Sequence, residues 1–134
     1  MTVEINEEVR KRLEEPHFWH LATLNPDGSP HVTPVWVDLR DGRIVVNTRK
    51  DRKKYRNLAN DPRVAMSLTN PDDIYSNMAV QGRVVETIDG EQANRDIDAL
   101  AKKYLGADSY PLQPGEERVS FVIEPQHVWY RPPA

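Results

Sequence analysis

Eleven prolines in 134 residues keep this chain from running in long uninterrupted elements. They sit among other turn formers, a pattern that suits short strands. The clearest turn is Asn25-Pro26-Asp27-Gly28. Its proline presets the first central residue, and its glycine tolerates positive φ. The flanking residues predict strands over 18–24 and 30–37, joined as a hairpin. Pro34 falls inside the second. Proline cannot donate to a ladder, so an edge, a bulge or a bound ligand is expected there. Further strands are predicted over 43–48, 64–68, 78–86 and 119–123, with 127–130 extending the last beyond Pro125. Residues 38–42 and 71–73 read as connections.

Helices fit between these strands. Asn6 suits an N-cap, with Glu7 and Glu8 in the first turn where the helix dipole favours acids. Ile5, Val9 and Leu13 then form an apolar stripe ended by Pro16. Asp89 and Gln92 have the spacing of a capping box. Ala93, Ile97, Leu100, Ala101 and Tyr104 follow at helical spacing, and Gly106 suits the C-cap. The expected fold is therefore mainly β: a six-stranded antiparallel sheet with flanking helices. Closure into a small barrel would remove the exposed strand edges. At this length a single domain, 1–134, is expected.

The charge distribution is uneven. Six of the eight residues from Arg49 to Arg56 are basic and one is acidic, a local charge of +5; the chain carries −3, so the remainder sums to −8. This octet follows the apolar run Ile44-Val45-Val46 and opens a helix anchored by Tyr55, Leu58 and Ala59 and stopped by Asp61-Pro62. A phosphate needs several donors converging on one point. Arginine supplies two in a fixed fork, and the first helical turn adds free N–H groups. Thr48 can add a hydroxyl. A solvated basic face is the other reading of the octet. Nucleic acid fits poorly, because the patch carries a single aromatic on a net acidic chain.

Other chemistries find less support. With no cysteine there is no disulfide, thiolate metal ligand or thiol nucleophile. His17 and His20 stand too close to Pro16 and a strand to form a helical ligand pair, and His31 and His127 are isolated, so no metal site is expected. His20 and His31 lie on adjoining hairpin strands and read as structural, although either can face a pocket. No serine has a hydrolase setting. Trp36 and Trp129 lie on predicted strands; core or dimer packing is the reading for them, Trp129 above all. Tyr75, beside Asp72, Asp73 and Asn77, has an exposed pattern and can cover a flat ring. No apolar run approaches the roughly 18 residues of a membrane helix. The acidic N-terminus lacks a signal core, and a cytoplasmic protein is expected.

The run Leu21-Ala22-Thr23-Leu24-Asn25-Pro26-Asp27-Gly28-Ser29-Pro30-His31-Val32-Thr33-Pro34-Val35-Trp36 resembles the opening hairpin of the pyridoxamine 5'-phosphate oxidase-like split β-barrel family. So do Val46-Asn47-Thr48, Arg52, Lys54, Asn57-Leu58 and Asp61-Pro62-Arg63-Val64. Leu100-Ala101-Lys102-Lys103-Tyr104-Leu105-Gly106, followed by Pro114-Gly115-Glu116-Glu117-Arg118-Val119, resembles the branch that uses the deazaflavin coenzyme F420. The resemblance implies a homodimer with cofactor at the subunit interface. It implies phosphate contacts from Asn47, Thr48, Arg52, Lys53 and Lys54. The cofactor ring would lie along Thr33, Pro34 and Val35, with Tyr75 and Asn77 reaching across from the partner subunit.

The function so implied is an oxidoreductase in which reduced F420 gives a hydride to an electron-poor small organic acceptor. The cofactor carries that chemistry, so no side chain is nominated as acid or base. Arg49, Lys50 and Arg56 could meet the acidic tail of the cofactor. An FMN-dependent reductase on the same fold is the alternative, with a non-catalytic flavin or deazaflavin carrier as the rival of another class. The sequence stops at Trp129-Tyr130-Arg131-Pro132-Pro133-Ala134, before the extended C-terminus with which true pyridoxamine-phosphate oxidases bind their substrate, so that vitamin is not the expected substrate.

Overall fold

The expected hairpin at Asn25-Pro26-Asp27-Gly28 joins β1 (Trp19–Leu24) to β2 (Pro30–Val35) in the computed structural model, which describes residues 3–134. Gly28 takes φ +86°, and its N–H donates to the Asn25 carbonyl at 2.8 Å. Asp27 tightens the turn by accepting from the Ser29 amide at 3.0 Å. The register runs from Trp19 opposite Val35 to Leu24 opposite Pro30.

The connection expected over 38–42 instead holds a strand. β3 (Asp38–Arg40) pairs with β4 (Arg43–Arg49) through a two-residue turn. Asp41 and Gly42 both adopt positive φ, the turn geometry whose twist matches antiparallel strands. Three half-buried residues are too few to show alternation, so pairing rather than pattern makes this segment a strand.

The remaining elements are α1 (Glu7–Glu14), α2 (Lys53–Asn60), β5 (Arg63–Thr69), β6 (Asn77–Asp89), α3 (Gly90–Leu105) and β7 (Arg118–Arg131). The seven strands pair antiparallel in the order β2-β1-β5-β6-β7-β4-β3. Six strands closed into a barrel were expected; seven are present among the described residues, and the sheet is not closed. Its free edges are β2 and β3. The edge position of β2 accommodates Pro34, whose missing N–H breaks no ladder on the outer side.

β6 and β7 are longer than the sequence indicates, and β7 runs through Pro125. The two strands shift register at Gln81/Gly82, where Gly82 faces Pro125. A Cβ on Gly82 would lie 2.4 Å from the Glu124 carbonyl oxygen, so only glycine permits this approach.

Trp19, Leu21, Val46, Met66, Val80, Phe121 and Ile123 fill the core, and α1 packs Val9 and Leu13 onto it. Asn6 caps α1 as expected, accepting from the Val9 amide at 3.0 Å. The capping box at α3 does not form. Asp89 stands at the N-cap position, but its carboxylate accepts from Lys50 Nζ, and Gln92 donates to Asp96. α3 buries Ala93, Ile97, Leu100 and Ala101 and ends at Gly106, φ +70°.

Two polar side chains fasten the far end of α3. The Tyr104 hydroxyl donates to the His17 carbonyl at 2.7 Å and accepts from the Val37 amide at 2.9 Å. Lys103 Nζ donates to the carbonyls of Leu13 and Val37, both at 2.7 Å. Burial raises the Tyr104 phenol to about 12 and lowers Lys103. No helix among the described residues is long and apolar enough to cross a membrane.

Candidate functional site

A cleft of about 590 Å³ lies between β2, the junction of β4 with α2, and α3. Ligand pockets typically span about 300–1,000 Å³. Eight of the ten expected cofactor residues line it: Thr33, Pro34 and Val35 from β2, Asn47 and Thr48 from β4, and Arg52, Lys53 and Lys54 from the start of α2. β2 is an edge strand, so one side of its backbone faces no neighbouring strand.

The placement of α2 follows from buried polar contacts. Asn57 Nδ2 donates to Thr23 Oγ1 at 3.0 Å and to Asn25 Oδ1 at 3.1 Å. Leu58 packs beside it in the core, and Asp61 ends the helix by donating its N–H to the Asn57 carbonyl. The first turn of α2 has no side-chain cap; the Tyr55 N–H donates to the Arg52 carbonyl at 3.2 Å, and the N–H groups of Lys53 and Lys54 have no partner among the described residues.

The six cations of the octet divide into two groups. Arg49 is held by Asp51, Lys50 bonds Asp89 with Glu117 nearby, and Arg56 donates to the Asp51 carbonyl at 3.1 Å. Arg52, Lys53 and Lys54 make no side-chain hydrogen bond or ion pair among the described residues, and all three line the cleft. Burial lowers the Lys54 ammonium, and the nearby charges of Arg52 and Arg118 lower it further. A cluster of unpaired like charges is an electrostatic demand for an anion.

Asn47 has a different setting. Its Nδ2 donates to the Ala93 carbonyl at 3.0 Å and to Ser120 Oγ at 2.9 Å, while its Oδ1 accepts from Arg118 Nε at 2.9 Å. Both amide protons are committed inside the protein. The network continues from Ser120 Oγ to the buried Asp96, which also receives Arg40 and Gln92.

The opposite wall is aromatic and apolar. Trp36 stacks on Tyr104, with ring centroids 5.1 Å apart and planes inclined by 12°, and Tyr110 meets Trp36 edge-on. Phe18, Ile97 and Leu100 extend this wall. His31 also lines the cleft. Trp36 lies just past the end of β2 rather than on a strand, and Trp129, expected in core or dimer packing, is 51% exposed in the single chain and so is not a core residue.

Tyr75 and Asn77 do not line the cleft of their own chain. Tyr75 is 70% exposed in the turn before β6, and Asn77 opens that strand opposite Arg131. Sequence reasoning missed Arg118, Tyr110 and Phe18 and read Trp36, Ile97 and Leu100 only as packing residues, though all six line the cleft. Arg118 stands about seventy positions from Asn47, and no periodicity couples the two; only the β4–β7 ladder brings them together. No group of three or more His, Asp or Glu side chains that could hold a metal occurs among the described residues.

A family model described as pyridoxamine 5'-phosphate oxidase matches residues 5–132. Among solved structures, an F420 reductase is 30% identical, with a TM-score of 0.80 over 93% of this chain and 98% of that one. A conserved hypothetical protein from Mycobacterium tuberculosis is 25% identical, with a TM-score of 0.73 over 95% of this chain and 84% of that one. General Stress Protein 26 from Bacillus anthracis, at 21% identity and a TM-score of 0.71 over 96% and 94%, shares the fold. No curated protein matches the sequence.

Proposed function

The chain belongs to the pyridoxamine 5'-phosphate oxidase family, and from that premise we propose an oxidoreductase that uses reduced coenzyme F420 to reduce an electron-poor small organic acceptor. One observation carries the reading: three cations with no side-chain hydrogen bond or ion pair among the described residues, Arg52, Lys53 and Lys54, line a cleft that also carries apolar and aromatic side chains. The 30% identity to an F420 reductase over nearly the whole chain favours the deazaflavin over FMN.

The residues present fit such a group. The cofactor combines a planar ring with a phosphodiester and an acidic tail. Arg52, Lys53 and Lys54 would hold the phosphate, aided by Thr48 and the free N–H groups of the first turn of α2. The backbone of Thr33, Pro34 and Val35 would run beside the ring, with Ile97, Leu100 and Trp36 excluding water from the opposite side. When bound, the cofactor supplies hydride transfer; the protein supplies orientation and a partly dry, cationic setting. No side chain is assigned as acid or base.

A homodimer completes this proposal. Tyr75, in an exposed turn, and Asn77, at the start of β6, sit outside their own cleft, and each would serve the cleft of the partner subunit.

The test mixes the protein anaerobically with reduced F420 and a panel of quinones, nitroaromatics and conjugated enones, following F420 oxidation by absorbance. Acceptor-dependent oxidation is expected. Tight F420 binding without turnover across the panel would identify a carrier and overturn the enzyme assignment.

A further inference from the structure

Arg118 is only 8% exposed, yet it lines the cleft. It opens β7 opposite Arg49 on β4. Three contacts set its pose. Nε donates to Asn47 Oδ1 at 2.9 Å, one terminal nitrogen donates to Glu116 Oε2 at 2.9 Å, and the guanidinium lies 5.0 Å from the centroid of the Tyr110 ring. The other terminal nitrogen has no partner among the described residues.

Burial of a guanidinium is costly unless its donors are matched. Here a charge held in place by three neighbours keeps one face of its fork open toward a cavity. That cavity already contains Arg52, Lys53 and Lys54. Glu116 offsets part of this charge, and its carboxyl is held below the ordinary range by the Gln113 backbone N–H and by Arg118. The remaining positive charge is still unmatched, and a planar fork suits a tetrahedral or planar oxyanion.

We infer that Arg118 is an oxyanion-binding residue of this cleft, taking phosphate-class ligands, and that Asn47 acts through it as a positioning residue. Asn47 thereby exchanges the direct ligand contact expected of it for a supporting one. Its amide protons are spent on Ala93 and Ser120, and its oxygen orients the arginine. The inference rests on the proposed function only for the identity of the ligand, since any phosphate mono- or diester presents the same oxygens.

The test titrates inorganic phosphate into the cofactor-free full chain, followed by backbone amide NMR shifts. The variants are Arg118→Lys, Asn47→Ala, their combination, and Glu116→Gln. Lysine keeps the charge and loses the fork, so Arg118→Lys should weaken phosphate binding about tenfold or more. Asn47→Ala should weaken it comparably alone, but less than about twofold further in the Arg118→Lys background, because its effect passes through the arginine. Glu116→Gln keeps an acceptor for Arg118 and removes a competing anion, so binding should hold or tighten. Wild-type protein that ignores phosphate, Arg118→Lys that binds normally, an additive Asn47→Ala effect, or tenfold loss in Glu116→Gln would each overturn the inference. If phosphate binds through Arg118 while F420 does not bind, the cofactor assignment falls and the oxyanion site stands.

Discussion

Asn57 on α2 and Thr23 on β1 are joined by a buried hydrogen bond of 3.0 Å, from Nδ2 to Oγ1. The bond ties the cation-bearing helix to the hairpin whose second strand forms the cleft wall. Both side chains are almost fully buried. Asn57→Ala would leave the Thr23 hydroxyl unmatched and also remove the bond to Asn25. The expected cost is about 1–3 kcal/mol of folding stability. Urea denaturation checks this, and cofactor affinity should fall with it because α2 loses its anchor.

The division of the octet gives a selective expectation. A charge-assisted hydrogen bond to phosphate is worth roughly 1.5–3 kcal/mol. Arg52→Ala and Lys54→Ala should therefore each weaken F420 binding about ten- to a hundredfold. Lys50→Ala and Arg56→Ala remove charges already engaged by protein groups, so each should change affinity less than about threefold. Isothermal titration of the four variants measures the contrast. Equal losses at all four positions would reduce the octet to a general basic surface.

This division was only half legible in the sequence. The charge run, the Asp61-Pro62 stop and the apolar anchors located the helix and its cations. Which cations are free depends on Asp51, Asp89 and Glu117, and the last two come from distant elements. The same cause hid Arg118, whose role depends on a ladder between strands far apart in sequence. β3 was missed because three residues carry no readable period, and the Asp89–Gln92 capping box was lost to a tertiary contact with Lys50. By contrast, the Asn-Pro-Asp-Gly hairpin, the Asn6 cap and the α3 stripe are local, and local chemistry was enough for them.

Lys54 should make binding pH-dependent. Burial and the neighbouring Arg52 and Arg118 lower its ammonium in the free protein. A bound anion favours the charged form and raises it again. Affinity is then full below the free-state pKa and declines as pH rises through that value toward the bound-state one. Calorimetry in alkaline buffers of different ionisation enthalpy should show proton uptake on binding. Lys54→Arg, which stays charged throughout this range, should abolish both the uptake and the decline.

Gly82 tests the packing of β6 against β7 independently of any ligand. An added Cβ would meet backbone, the Glu124 carbonyl oxygen at 2.4 Å, and cannot be relieved by a side-chain rotation. Gly82→Ala should cost about 1–3 kcal/mol. Thermal unfolding against wild type checks it, with Gly28→Ala as a comparison. Gly28 has open space around it, so strain from its positive φ is the only penalty there.

The central claim is that this cleft binds a phosphate-bearing deazaflavin through Arg52, Lys53 and Lys54. Parallel equilibrium titrations of the purified protein with F420 and with FMN, read by cofactor fluorescence, test it most directly. F420 should bind more tightly than FMN, with its affinity falling about tenfold or more in Arg52→Ala. Tighter binding of FMN, or F420 affinity unchanged by Arg52→Ala, would contradict it.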